Sequence, residues 1–106
     1  MNNVTVIGGS GFLGTEVSKE LINRKYKVTI FDKNVPKFLN KNLKCVQGDI
    51  LDNKKLEKVI RGSAYVYNFA GIADLDYGID QPIKSIEQNI LATVNMLNLC
   101  KKHIIL

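Results

Sequence analysis

The chain has 106 residues, 45% of them apolar, and carries a formal net charge of +5. This length bounds it to one ordinary domain, small beside most enzymes that hold both a cofactor and a substrate, and the apolar fraction excludes an intrinsically disordered chain. No apolar run approaches the roughly 18 to 20 residues of a membrane span, and the lysines are scattered without arginine clusters or interleaved aromatics, which reads as solvated surface and not as a nucleic-acid groove.

VTVI, Val4 to Ile7, is a β-branched run that the pattern predicts as a strand. It follows Met-Asn-Asn directly, which leaves no room for a signal peptide and makes the cytoplasm the expected compartment. Glycines stand at 8, 9, 11 and 14, and then Phe12, Leu13, Val17, Leu21 and Ile22 recur at the spacing of an amphipathic helix. KVTIFD, Lys27 to Asp32, is a second strand ending on a carboxylate; LKCVQGD, Leu43 to Asp49, is a third, after a loop containing Pro36. Asp52 is placed to cap a short helix, with Leu56, Val59 and Ile60 on one face and Gly62 as its stop. AYVYNFAG, Ala64 to Gly71, is apolar at nearly every position, as in a strand covered on both faces.

A polar loop then leads to the longest helix, opened by Pro82, with Ile83, Ile86, Ile90, Val94 and Leu97 along one stripe. IIL, Ile104 to Leu106, starts a fifth strand. Strands alternating with helical patterns imply parallel pairing with right-handed crossovers, hence a Rossmann-type, doubly wound α/β sheet of four to five strands over residues 1–106. Cys45 and Cys100, without metal-ligand spacing, are expected as reduced, buried or half-buried thiols, and the single His103 as a structural residue.

The glycines carry the first functional signal. Gly8 suits a tight turn out of the strand, Gly11 the close approach of a pyrophosphate to the backbone, and Gly14 close packing of helix on strand. Amide groups from Gly11 through Leu13 then face the phosphates at the positive end of a helix, with the Ser10 hydroxyl as a further donor. Asp32, eighteen residues beyond Gly14, stands where a dinucleotide fold needs an acceptor for the adenosine ribose hydroxyls. Its charge repels a ribose 2′-phosphate, which favours NAD over NADP, although the neighbouring Lys33 leaves room for NADP.

On these residues the chain resembles the extended short-chain dehydrogenase/reductases, which include the NAD-dependent sugar-nucleotide epimerases and dehydratases. GGSGFLG is similar to their glycine turn, GDILD at 48–52 to the segment after their third strand, NFAG at 68–71 to the end of their fourth, and NILATVNML at 89–97 to a helix near their active site. The resemblance implies pyrophosphate contacts from the amides of Phe12 and Leu13, adenine recognition by Asp49 with Ile50 packed beside the ring, a border to the riboses and phosphates from Phe69, Ala70 and Gly71, and active-site support from Asn89. It further implies a sugar-nucleotide substrate and a homodimer. Asn68 and Ala92 depart from the family's usual His and Gly, which clouds the substrate more than the fold.

The family's proton-transfer pair, Tyr-x-x-x-Lys, has no counterpart: Tyr26, Tyr65, Tyr67 and Tyr77 are followed four residues later by Ile30, Phe69, Gly71 and Gln81. The expectation is the cofactor half of a longer enzyme, inactive alone, with no catalytic or metal-ligating residue in this span. Two alternatives stay open at this point, an NADP-dependent carbonyl or steroid-type reductase and a non-catalytic dinucleotide-sensing regulator.

Overall fold

The computed structural model describes residues 2–71, 75–103 and 105 of the chain. Four strands, β1 (Asn3–Ile7), β2 (Lys27–Asp32), β3 (Leu43–Gln47) and β4 (Tyr65–Asn68), form one parallel sheet in the order β3-β2-β1-β4. Register pairs Val4 with Val28 and with Tyr65, and Val28 in turn with Leu43. From β1 the chain steps outward through β2 to β3, then reverses and crosses back to add β4 on the other side of β1. With right-handed crossovers that reversal sends α1 (Phe12–Asn23) and α2 (Asn53–Ile60) to opposite faces of the sheet.

Each face therefore has its own core. Val4, Val6, Val28 and Ile30 point toward α1 and its Leu21, while Ile7 and Phe31 point toward Ile50 and toward Leu56 and Ile60 of α2. Fully burying Leu56 or Ile60 contributes about 1.5–3 kcal/mol each. Asp52 caps α2 by accepting from the Lys55 amide at 3.2 Å, and Gly62 past its end takes φ +84°. Thr5, buried in β1, lies 2.6 Å from Ser63 Oγ, so even the polar group of the central strand is satisfied.

The segment after Gly71 differs from expectation. In place of a loop, a short helix α3 runs over Leu75–Asp80. The long helix is three stacked pieces, α4 (Pro82–Ile86), a π turn (Glu87–Leu91) and α5 (Ala92–Lys102), with the Ala92 amide reaching back to Glu87 O. Its core side is Ala92, Met96 and Leu99. The isoleucine stripe points outward: Ile83, Ile86, Ile90, Val94 and Leu97 are all exposed, so the helix is apolar on two sides and period alone did not tell which one is buried. Phe12 and Leu13, which recur at the amphipathic spacing of α1, are likewise exposed, at 82% and 61%. The turn enters α1 with these two residues rotated away from the sheet, and Gly14, Ser18 and Leu21 take the inner face.

Two further expectations are corrected. β4 is not covered on both faces: it is a sheet edge among the described residues, and Tyr65 and Tyr67 are exposed. Cys45 is exposed on the opposite edge strand, whereas Cys100 is half-buried against Met96; both are free thiols. Of the expected fifth strand, Ile104 and Leu106 lie outside the described residues.

Candidate functional site

The strands end at a cleft of about 630 Å³, as ligand sites do in open parallel sheets. Its floor is the last buried residue of β1 and of β2, Ile7 and Phe31, and its rim is the set of loops that follow the four strands.

The loop after β1 is built by close contact. Gly8 takes φ +75°, and a Cβ there would lie 2.7 Å from the amide nitrogen of Ala70, so a side chain is excluded on both counts. At Gly14 a Cβ would come within 2.5 Å of Gly8 O and of Gly9 Cα, which seats the first turn of α1 directly against the loop. Gly11 is different. It has ordinary extended angles, φ −76° and ψ −177°, and a Cβ would meet nothing nearer than Gly8 O at 3.8 Å. The protein's own packing therefore does not require glycine at position 11, which faces the cleft.

The first helical bond of α1 runs from Thr15 N–H to Gly11 O at 2.9 Å, so the amides of Phe12, Leu13 and Gly14 precede the ladder and have no acceptor among the described residues. No acidic side chain sits in that first turn. The arrangement is an unneutralised cluster of N–H donors at the positive end of a twelve-residue helix, suited to an anion.

Asp32 closes β2 on the cleft. Its Oδ2 accepts from Ser10 N–H at 3.0 Å and its Oδ1 from Asn34 N–H at 3.1 Å. The Ser10 hydroxyl, expected to face a phosphate, donates instead to Asn34 O at 2.7 Å and so ties the glycine turn to the loop after β2. A carboxylate accepts about four hydrogen bonds, which leaves Asp32 capacity for further donors such as ribose hydroxyls.

Beyond β3, Asp49 accepts from Leu51 N–H at 2.9 Å on Oδ1, and its Oδ2 lies 3.5 Å from the Lys33 ammonium. Its carboxyl is held below the usual aspartate range, chiefly by the Leu51 amide and then by the Lys33 charge and the Gln88 side chain, with partial burial opposing. Asp49 is thus an ionised acceptor at neutral pH. Ile50 beside it is buried in the core below and still forms part of the cleft wall.

On the fourth side, Phe69, Ala70 and Gly71 form the wall after β4, fixed by Phe69 N–H to Ile7 O at 2.8 Å and by Ala70 N–H to Asn68 Oδ1 at 3.0 Å. Asn89 is behind this wall: its Oδ1 would be 3.0 Å from a Cβ on Gly71. Of the residues expected from sequence, the cleft brings together Gly8, Ser10, Gly11, Asp32, Lys33, Asp49, Ile50, Phe69, Ala70 and Gly71. Gly14 lies beneath the turn, Phe12 and Leu13 offer amides with their side chains outside, and Asn89 stands one layer back. Lys84, Glu87 and Gln88 line the cleft without having been expected, because the helix that carries them had no cofactor-side motif before Asn89. Among the described residues no group of three or more His, Cys, Asp or Glu could hold a metal ion, and no helix is long and apolar enough to cross a membrane.

Residues 4–105 match the model of the NAD dependent epimerase/dehydratase family. A curated relative, a bifunctional UDP-glucose 4-epimerase and UDP-xylose 4-epimerase of Pisum sativum, is 28% identical over 94% of this chain and 33% of its own length. Among solved structures, a UDP-N-acetylglucosamine 4-epimerase from Methanobrevibacter ruminantium in complex with UDP-N-acetylmuramic acid superposes with a TM-score of 0.85 at 31% identity, covering 98% of this chain and 35% of that one. A Thermus thermophilus UDP-glucose 4-epimerase in complex with NAD gives 0.86 at 25% identity, covering 97% and 35%. The chain thus spans about a third of the length of the relatives it matches.

Proposed function

The chain belongs to the NAD-dependent epimerase/dehydratase family, and from that premise we propose that its cleft binds NAD and serves a sugar-nucleotide epimerase or dehydratase. In this reading the pyrophosphate lies over the amides of Gly11 to Leu13, the adenosine ribose meets Asp32, and adenine lies between Asp49 and Ile50, bounded by Phe69, Ala70 and Gly71. Residues 1–106 act as one dinucleotide-binding domain.

One observation carries the reading. Gly11 is bare although the fold does not need it bare, and it adjoins helix-start amides that lack acceptors among the described residues. A pyrophosphate supplies what both features want, a flat approach to the backbone and oxygen acceptors. Asp32 adds a carboxylate that accepts ribose hydroxyls and repels a 2′-phosphate. When bound, NAD supplies a hydride acceptor for transient oxidation of the substrate. The chain's own residues hold and orient the dinucleotide and fence its adenine end, while none of the four tyrosines has lysine four positions on. The chain on its own therefore binds without turnover. A UDP-sugar is the substrate class of the relatives' names, and the exposed stripe from Ile83 to Leu97 supports a homodimer through that helix.

The test is titration of NAD into the parent and into Gly11→Ala. We expect the variant to melt with the parent and to bind NAD about tenfold more weakly or worse, about 1.4 kcal/mol. Equal affinities, or a parent that does not bind, overturn the reading.

A further inference from the structure

Lys33 and Asp49 leave different strands, β2 and β3, and meet across the adenine end of the cleft at 3.5 Å. Both side chains are largely solvated, at 61% and 44% exposure, and an ion pair of that kind is worth about 0–1 kcal/mol to folding. The pair therefore does little to hold the two loops together. Its effect falls on Asp49. One carboxylate oxygen accepts from the Leu51 amide, the other lies 3.5 Å from the Lys33 ammonium, and with the Gln88 side chain also in reach the carboxylate is biased toward one orientation at the cleft wall.

We propose that Lys33 is a positioning residue for base selection: by fixing Asp49, it makes the cleft prefer a base with an exocyclic amino group to one with a carbonyl at the same place. This rests on the reading that the cleft binds a dinucleotide with its base at Asp49. The chemistry is one of donor against acceptor. An ionised carboxylate accepts only, so the amino group of adenine at its 6-position completes it, whereas the 6-oxo group of hypoxanthine sets oxygen against oxygen. A carboxylate free to rotate would turn away from that oxygen and discriminate less. Biased from both sides, Asp49 turns away less readily.

The experiment compares NAD with nicotinamide hypoxanthine dinucleotide, whose base carries a 6-oxo group and an N1–H where adenine carries the 6-amino group and a bare N1, by titration calorimetry on the parent, Lys33→Met and Lys33→Arg. Hydrogen bonds to a charged partner sit near the low end of their range at a half-exposed site, so the parent is expected to prefer NAD by about tenfold. Lys33→Met reduces the preference to about threefold or less, mainly by weakening NAD, and Lys33→Arg keeps most of it. A Lys33→Met variant that loses affinity for both dinucleotides in equal proportion overturns the proposal, since Lys33 is then only a nearby charge for the phosphates. So does a parent that binds both equally tightly, in which case Asp49 does not read the base although the cleft binds a dinucleotide. A parent that binds neither removes the cofactor reading itself, and the inference with it.

Discussion

The amide of Ser10 donates to Asp32 Oδ2 at 3.0 Å, so the carboxylate that ends β2 is fastened to the turn that ends β1. The acceptor proposed for a ribose and the donors proposed for a pyrophosphate are thereby fixed relative to one another before any ligand arrives, which reduces the ordering cost of binding.

Removing that carboxylate should therefore cost more than its direct contact. In Asp32→Ala the amides of Ser10 and Asn34 lose their acceptor and the repulsion of a 2′-phosphate disappears. The expected result is NAD affinity lower by about tenfold and a preference for NAD over NADP that falls toward unity. Parallel titrations of both dinucleotides measure it, and an unchanged ratio speaks against Asp32 as the discriminating charge.

Gly14→Ala is expected to act on the fold. Its Cβ would meet backbone atoms of Gly8 and Gly9 at 2.5 Å, and backbone does not step aside as a flexible side chain would. Overpacking of this kind costs about 1–3 kcal/mol. Thermal unfolding should show a drop of several degrees, in contrast to Gly11→Ala; a parent-like midpoint would mean that the turn yields enough to admit a methyl group.

Glu57 of α2 accepts from Lys102 at 2.7 Å and lies 3.0 Å from His103 Nε2, joining α2 to the end of α5. This is a partner for His103 that the sequence reading lacked. The Lys102 ammonium first, and His103 second, hold the Glu57 carboxyl below the usual glutamate range. A depressed folded-state value gives stability that is complete above the ordinary value, roughly pH 4.3, and is lost as pH falls through the lower folded one. Glu57→Gln should flatten the fall of the melting temperature with acid in that window and leave the pH 7 to 8 region, expressed as a slope, almost flat in both proteins. An identical acid slope in the two would count against it.

If a second copy covers the outward stripe, the paired substitution Ile90→Lys and Leu97→Lys should shift sedimentation from dimer to monomer while helix content stays the same. Both positions are exposed, so the fold has no stake in them. A parent that remains monomeric as its concentration rises would sink the dimer.

How much of this was legible beforehand varied with the physical origin of each feature. The turn from Gly8 to Gly14 and its carboxylate Asp32 were readable because glycine spacing and a strand-end charge are local properties. Asp52 as a cap and Gly62 as a stop were readable for the same reason. The faces were not. Two apolar stripes run along the helix from Pro82 to Lys102, and the choice between them is made by the sheet, through Met96 and Leu99, rather than by the helix's own period. The π turn inserts between α4 and α5 a hydrogen bond of different span, from the Ala92 amide to Glu87 O, and no residue type announces it. Glu87 and Gln88 reach the cleft from that turn, so no local pattern marks them either. In β4 a run of apolar residues suggests two covered faces, although Tyr65 and Tyr67 are amphipathic side chains that tolerate water on one side.

The reversal of strand order at β1 has one more consequence. Because the loops leaving β1 and β4 part toward opposite faces, the space between them is an outcome of the route the chain takes and not of any side chain that carves it. Substitutions along the rim can therefore alter what is admitted while the opening stays where it is. Affinity and address are under separate control: the first rests on the residues of the rim, several of them exposed, the second on the buried valines and isoleucines that keep the strands in sequence.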